Sequence, residues 1–467
     1  MHSSPHNNGS TEPSDPASTT VGVQLVRVLG PSQATSIVVG GIVGSGIFLA
    51  PSIVAREVGA PGLSLLVWIL SGLLATCGAL CFAELSAAIP ETGGTYAFLN
   101  QSYSHPVVAF LFGWTMFFAI STGAIAAVGT AFASYAEYFL GRAVPYGSWT
   151  LRWMAVACIL FLTVLNCIGT RLGGRIQFVF TLVKVGALGA IIGVGILFGH
   201  GNLHHFQPLL PTGSTGSGIL ASVGTAMIPT LFAYQGWNYS TYIAGEIENP
   251  RRNVPLSIFV GMGIVLTIYL LANAAYIHLL PFEQLEGSRI VAADAMRAAI
   301  GPIGAGLISL AVILSTFGTV NAQLLSYPRI QYAMSRDNLF FRHMDRVHPR
   351  FKTPAVAILS QGVLAAGFAL SGTYEQILSY VSFDEYLFLT MAVVGVFILR
   401  RRRPNLQRPY RVWGYPFTPL IFVLMCSWYL TNLVIHRFME TLVGMALMLT
   451  GLPFYFHWSR IKARANG

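Results

Sequence analysis

The residues best placed to bind a small polar molecule lie in one apolar stretch, VVGGIVGSGIFLAPS (residues 38–52), which holds four glycines and two serines. Each glycine inside a helix costs about 0.8–1 kcal/mol relative to alanine, so these glycines need a reason. Close helix packing would account for Gly40 and Gly44, a small-xxx-small pair, but not for Ser45 or Gly46. We therefore predict that the helix unwinds over Gly44-Ser45-Gly46, near its midpoint.

A break of this kind exposes two sets of backbone groups. The N–H groups that begin the second half-helix and the C=O groups that end the first have no helical partners. The helix dipoles favour an anion at the first set and a cation at the second. An amino-acid zwitterion matches both ends with its carboxylate and its ammonium, so the segment can bind such a ligand without a charged side chain.

A second interrupted stretch, TLFAYQGWNYS (residues 230–240), places Gly236 beside Gln235 and Asn238. Ordinary aromatic packing is the alternative explanation for the Phe, Tyr and Trp residues of this stretch. Paired interruptions at corresponding positions of two halves are typical of inverted-repeat transporters, whose binding site lies between the halves. We expect the two breaks to form one site.

Few charged residues accompany these stretches. Lys184 lies about 13 Å further along its helix than Arg175, at roughly 1.5 Å per residue, and buried ionisable groups in membrane segments are functional candidates. A structural lysine bound by carbonyls of the unwound segment is the alternative, and both can hold. Asp384 and Glu385 are expected at the membrane interface, with entry into the upper part of the tenth span as the alternative. No carboxylate is expected near either break.

Composition makes this chain a membrane protein. It has 467 residues, 54% hydrophobic and only 9% charged, against roughly 25% charged in soluble domains. Apolar runs and the residues that punctuate them predict an all-α protein with twelve membrane-spanning helices. Their approximate centres are Gly44, Leu73, Ile120, Leu160, Leu188, Phe232, Leu266, Leu314, Gly362, Thr390, Leu424 and Met448.

The basic residues predict the orientation. With the N-terminus cytoplasmic, 20 of the 27 Lys and Arg residues fall on inner segments and 6 on outer ones, a strong positive-inside bias. The run RRRR at 400–403 is then an inner-face anchor, and Glu84 is expected at the inner end of the second span. Both termini are predicted to be cytoplasmic, in a multi-pass protein of the plasma or inner membrane.

Several motifs, in order and on the expected spans, resemble the amino acid–polyamine–organocation superfamily and, within it, the L-type amino acid transporters. The resemblance covers residues 30–460. The motifs are GSGIF at 44–48, AEL at 83–85, PETGGTYAFL at 90–99, FAYQGWN at 232–238, EIENPRRNVP at 246–255 and YAMSRDNLF at 332–340.

This resemblance implies the LeuT-type fold, with a 5+5 inverted repeat in which helices 1 and 6 are discontinuous, plus two further helices. The implied parts are a tail (1–20), a core (21–403, with repeats at about 31–200 and 218–403) and a final segment (404–467) with helices 11 and 12 and a short basic tail. The implied substrate-binding residues are Ile42, Val43, Gly44, Ser45, Gly46, Phe232, Ala233, Gln235, Gly236 and Asn238.

The resemblance also assigns roles within this set. The Ser45 and Gly46 backbone would hold the substrate carboxylate, and carbonyls around Ile42, Val43 and Phe232 would hold the ammonium. Phe232 would also be the outer gate. Lys184 would replace the ion of sodium-coupled relatives, which implies sodium-independent transport.

Two departures from the family pattern matter. Gln235-Gly236 stands where the large-neutral branch has Gly-Gly, which favours smaller or polar substrate side chains. The outer loop FLGRAVPYGSWT has no cysteine, so no disulfide-linked heavy subunit is expected and the chain is expected to work alone.

The sequence therefore predicts a sodium-independent transporter of neutral L-amino acids, working by exchange through alternating access. The alternatives are a proton-coupled symporter, a cationic amino acid or polyamine carrier and, from another class, a non-transporting sensor. No Gly-Lys dipeptide exists, which excludes a phosphate-binding P-loop. No enzyme activity, catalytic residue, cofactor, metal site or nucleic-acid partner is predicted; the expected partners are the substrate and membrane lipids.

Overall fold

The computed structural model describes residues 27–140, 148–197, 201–211, 216–371 and 374–466. The predicted tail at 1–20 and residues 141–147 of the predicted outer loop lie outside these ranges. The described residues are mostly helical, and their one β-type contact is an isolated parallel bridge between Leu29 and Ile247.

The α-helices of these ranges are α1 (Pro31–Ile42), α2 (Gly46–Val58), α3 (Pro61–Ala88), α4 (Thr95–Ser102), α5 (Val107–Thr115), α6 (Ser121–Leu140), α7 (Trp149–Ile168), α8 (Thr170–Leu197), α9 (Gly216–Ala233), α10 (Tyr239–Tyr242), α11 (Pro250–Leu279), α12 (Phe282–Gly287), α13 (Val291–Ser326), α14 (Pro328–Arg336), α15 (Ala355–Ala369), α16 (Tyr374–Arg402), α17 (Phe417–His436), α18 (Phe438–Leu449) and α19 (Gly451–Asn466). A π-helical turn, Met116–Ile120, joins α5 to α6.

Eleven segments of the described ranges are long and apolar enough to cross a membrane. Ala355–Ala369, around the predicted ninth centre, is apolar but has only 15 residues, fewer than the roughly 20 that a full crossing needs. The all-α membrane class is therefore confirmed, whereas the count of twelve spans stays a prediction.

Proline and glycine set many of the helix ends, as the sequence leads one to expect. Pro61 and Pro250 occupy the first turns of α3 and α11. Proline lacks a backbone N–H, but an N–H in the first turn would have no helical partner, so nothing is lost there. Gly59 ends α2 in the left-handed conformation, with φ +62°, a usual glycine C-cap. These signals place the long helices correctly.

The first span lies at the centre of the bundle. α1 packs against α8, α11 and α13, and α2 packs against α9 and α13. Every residue from Ser36 to Ile42 is buried. The described residues thus surround the first predicted break with protein, the setting in which non-helical backbone is tolerated at membrane depth.

Two ion pairs link parts of the chain that are distant in sequence. Glu84 of α3 binds Arg400 of α16 at 2.6 Å and accepts a hydrogen bond from the Val412 backbone N–H at 2.7 Å. Glu246 binds Arg329 at 2.8 Å, and both side chains are almost fully buried. Glu84 therefore ties two helices to the loop that follows α16, a structural role.

Candidate functional site

The first span breaks as predicted, with a shift of one residue. α1 ends at Ile42, residues 43–45 are bends, and α2 begins at Gly46. Val43 has φ −70° and ψ +86°, outside the helical region. Gly46 therefore begins the second half-helix rather than belonging to the unwound segment.

The second break lies in the sixth span. α9 ends at Ala233, a turn covers residues 234–238, and α10 begins at Tyr239. Gly236 has φ +117°, a conformation that glycine adopts without the steric cost other residues meet. Both interruptions predicted from the sequence are therefore present.

The two breaks are in direct contact. A Cβ added at Gly46 would lie 2.4 Å from the Cβ and 2.5 Å from the Cα of Ala233, and one added at Gly236 would lie 2.9 Å from Ile42 N. A Cβ added at Gly41 would lie 2.5 Å from the Tyr239 ring. Backbone of one break packs on backbone of the other because these positions have no side chain.

The glycine contacts show that close packing and a helix break are not alternatives in the first stretch. A Cβ at Gly40 would meet the Gln177 side chain at 2.1 Å, and one at Gly44 would meet Thr319 at 2.9 Å. Gly46, which packing seemed unable to explain, also has a packing role against Ala233. The glycines of the first stretch therefore serve both a broken helix and close packing.

The carbonyl ends of the two first half-helices meet at one hydroxyl. Tyr269 of α11 is fully buried, and its hydroxyl lies 2.8 Å from Ile42 O and 3.0 Å from Ala233 O. It can donate its single proton to one of them at a time. Tyr269 therefore links α1, α9 and α11 at the point where both helices end.

The Val43 carbonyl points to α13. Thr319 Oγ1 lies 3.2 Å and Ser315 Oγ 3.5 Å from Val43 O. Thr319 also approaches Gly40 O at 3.3 Å. Small hydroxyl residues one turn apart on α13 thus solvate the end of α1.

Lys184 is fully buried on α8, and its side chain reaches the end of α1. Its ammonium donates to Gly40 O and, at 2.6 Å, to Thr319 Oγ1. Gly40 lies in the last turn of α1, and the break after Ile42 leaves carbonyls of that turn without helical donors.

The N–H end of the site is simpler. Ser45 O accepts the Phe48 and Leu49 N–H groups, both at 3.1 Å. Ser45 Oγ is buried and has no hydrogen-bond partner within the part of the chain that the structure describes. The first break thus has a hydroxyl donor and the start of a helix, groups that suit an anion.

The expectation that no carboxylate lies near either break is wrong. Glu385 lies on α16, is 8% exposed, and accepts a hydrogen bond from Gln235 Nε2 in the second break. A carboxylate therefore does lie at a break. Asp384 is also fully buried. The sequence places both residues near the start of a long helix, but α16 begins at Tyr374 and its packing buries them.

Two further predicted residues have other neighbours. Asn238 is 3% exposed, and its amide donates to Tyr242 OH at 2.8 Å, within the same short segment. Phe232 is buried in the last turn of α9. Of the remaining predicted residues, Ile42, Gly46, Ala233 and Gly236 lie at the contact between the two breaks, whereas Val43 and Gly44 approach Thr319 of α13.

Sequence reasoning missed Tyr269, Thr319 and Ser315 and misjudged Glu385. A tyrosine in an apolar span, and a serine and threonine four residues apart, are too common to single out. The carboxylate did carry a signal, because acidic residues in membrane helices are rare and functional.

Comparison with known proteins decides the family. The profile described as amino acid permease matches residues 29–451, which is most of the chain and includes both breaks. The chain belongs to the amino acid permease family. This permease is accordingly a multi-pass membrane protein and not an enzyme, and its broken helices fit the LeuT-type fold that the resemblance implied.

Individual relatives of this permease cover nearly its whole length. It is 33% identical over 445 residues to the serine/threonine exchanger SteT of Bacillus subtilis, covering 94% of this chain and 98% of that protein. It is 32% identical over 437 residues to the mouse b(0,+)-type amino acid transporter 1, covering 92% and 88%. The human large neutral amino acids transporter small subunit 2 is 32% identical over 437 residues, covering 93% and 81%.

Proposed function

We propose that this permease exchanges small or polar neutral L-amino acids across the membrane without sodium, by alternating access. Amino acid transport itself agrees with the family and with all the relatives described above. The observation that carries the proposal is the contact between the two breaks, because it gathers helix ends of both kinds around one place.

The substrate's two charged groups have separate partners in this proposal. The start of α2, with the backbone of Ser45 and Gly46 and the buried Ser45 hydroxyl, holds the carboxylate. Carbonyls at the ends of α1 and α9, from Ile42, Val43 and Phe232, hold the ammonium. Each carbonyl oxygen has two lone pairs, so those of Ile42 and Val43 can accept a substrate proton beside their hydroxyl neighbours.

The remaining predicted residues complete the proposed site. Gly44 and Gly236 let the backbones approach, and Ala233 packs on the start of α2. Gln235 borders the substrate side chain, and Asn238 lies at the pocket's edge. Phe232 is the proposed outer gate.

Sodium independence rests on Lys184. Its ammonium bridges the end of α1 and Thr319 of α13, supplying a fixed positive charge to carbonyl and hydroxyl oxygens. A bound sodium ion would need oxygen ligands of the same type. The tethered charge therefore supports transport that needs no external sodium.

Two observations support exchange and the proposed class of substrate. One relative is named as a serine/threonine exchanger, and Gln235 adds volume and an amide next to Gly236. Both favour smaller or polar neutral side chains over large apolar ones.

The proposal includes the arrangement in the membrane. We place both termini in the cytoplasm, treat 21–403 as the core with repeats at about 31–200 and 218–403, and add 404–467 as an appended pair of helices. We also propose that the chain acts without a disulfide-linked heavy subunit.

A proton-coupled symporter or a carrier of cationic amino acids is the second candidate. The buried Glu385 at the second break favours it, because a carboxylate there could take up a proton or face a cationic side chain.

Purified permease in lipid vesicles separates these functions. Vesicles loaded with unlabelled serine should take up labelled serine much faster than empty vesicles, and equally with sodium or choline outside. Equal uptake by loaded and empty vesicles, rising with an inward proton gradient, would instead establish the symporter. Binding without any uptake would indicate a sensor.

A further inference from the structure

The acidic residue Glu385 lies against the second break. It accepts a hydrogen bond from the neutral amide of Gln235, and none of the ion pairs within the described ranges includes it. A buried charge without a charged partner is costly, so it needs further hydrogen bonds.

The position of Glu385 is fixed by its neighbour. Tyr386 OH donates to Leu231 O at 3.3 Å, which anchors α16 on the last turns of α9. Glu385 then meets Gln235 just beyond the end of α9. Gln235 directly precedes Gly236, and a Cβ added at Gly236 would lie 2.9 Å from Ile42 N of the first break. One side chain, that of Gln235, therefore links the carboxylate to the turn that contacts the first break.

The pair also has unused acceptor capacity. Gln235 is 7% exposed, and its Oε1 has no hydrogen-bond partner among the described residues. Its Nε2 faces the carboxylate, so the amide presents its oxygen elsewhere. A carboxylate accepts up to about four hydrogen bonds. Together, the two side chains present oxygen atoms that can accept further hydrogen bonds.

We propose that Glu385 and Gln235 form the subsite that reads the substrate side chain, and that it selects amino acids whose side chain ends in a hydrogen-bond donor. This inference rests on the proposed function and adds Glu385 as its specificity-determining residue. A hydroxyl on the substrate side chain donates to these oxygens, whereas a methyl group in the same place leaves them buried and unsatisfied.

The expected discrimination follows from that difference. A hydrogen bond to a charged group typically changes an equilibrium by roughly tenfold to a hundredfold. Sites built to bind a substrate hydroxyl reject analogues that lack it more strongly than apolar pockets reject an added group. Threonine and valine have the same shape, so their affinity ratio isolates the hydroxyl, and serine against alanine repeats the comparison.

The test is competition against labelled serine in vesicles containing the purified protein. We expect threonine to compete at least about tenfold better than valine with the wild type. Glu385→Gln keeps the shape but removes the charge, and Glu385→Met removes the acceptors. Both should lower the threonine-to-valine ratio, with Glu385→Met bringing it close to one.

The matched control is Asp384→Asn. Asp384 is the adjacent residue, fully buried, and both its carboxylate oxygens lack a hydrogen-bond partner in the described ranges. It should leave the ratio as in the wild type, which separates a local role of Glu385 from a general effect of acidic residues on α16.

The outcomes are distinct. Wild-type parity between threonine and valine would overturn the inference even if no Glu385 variant folds, and so would a ratio unchanged by both substitutions. Either result leaves amino acid exchange intact. Failure of the wild type to bind or exchange any amino acid would overturn the proposed function, and the inference with it.

Discussion

Replacing Lys184 is the sharpest test of how the two halves of the site work together. Its ammonium bonds Gly40 O and Thr319 Oγ1, and a Cβ at Gly318 would lie only 3.1 Å from its Cε. The side chain thus packs closely along α13 as well as joining α13 to α1. Lys184→Ala removes both the charge and the packing, whereas Lys184→Met keeps most of the volume and removes only the charge.

The size of the effect follows from these contacts. Hydrogen bonds from a charged group contribute about 1.5–3 kcal/mol each, so the two together tie α8 to α1 and α13 with about 3–6 kcal/mol. Burying the ammonium offsets much of this in folding, so protein yield should fall little. A variant that loses half of the lower figure, about 1.5 kcal/mol, from the transition state of transport exchanges about tenfold more slowly, because 1.36 kcal/mol corresponds to a factor of ten in rate.

The assay is the initial rate of serine exchange per folded molecule in vesicles, with sodium or choline outside. Both variants should exchange at least about tenfold more slowly than the wild type, and choline should not change the wild-type rate. Normal exchange by Lys184→Met would show that the charge has no part in transport. Sodium-dependent exchange by the wild type would refute the ion-replacing role.

Two further substitutions test the contact between the breaks. Gly236→Ala places a Cβ about 2.9 Å from Ile42 N at φ +117°, so we expect serine binding to be lost in protein that still elutes as a single species; unchanged binding would refute the close approach. Tyr269→Phe deprives the carbonyls of Ile42 and Ala233 of their shared donor, at about 1–3 kcal/mol, and should lower the thermal unfolding midpoint and weaken serine binding. Its control, Tyr276→Phe on the same helix, removes a buried hydroxyl without a partner in the described ranges and should do neither; equal effects of the two would refute the role given to Tyr269.

The sequence predicts the helices and both breaks well because local chemistry determines them. Glycine clusters in apolar runs are unusual, and their cost points directly to Gly44–Gly46 and Gly236. The broken helices follow from these residues without knowledge of their neighbours.

What the sequence does not give is which side chains reach the breaks from other helices. Tyr269 and Thr319 lie far along the chain from Ile42 and Gly40, and only the packing of α11 and α13 brings them there. Glu385 shows the same limit. The depth of a residue near a helix start depends on where neighbouring helices end, which periodicity does not reveal.

The central claim is that helix ends at the two breaks bind both charged groups of an amino acid, and analogues of serine test it most directly. Serine methyl ester lacks the carboxylate, and N-acetylserine lacks the ammonium. We predict that each displaces labelled serine from the purified permease at least about a hundredfold less well than serine itself, because each loses charge-assisted hydrogen bonds. Displacement by either analogue as strong as that by serine would contradict the account.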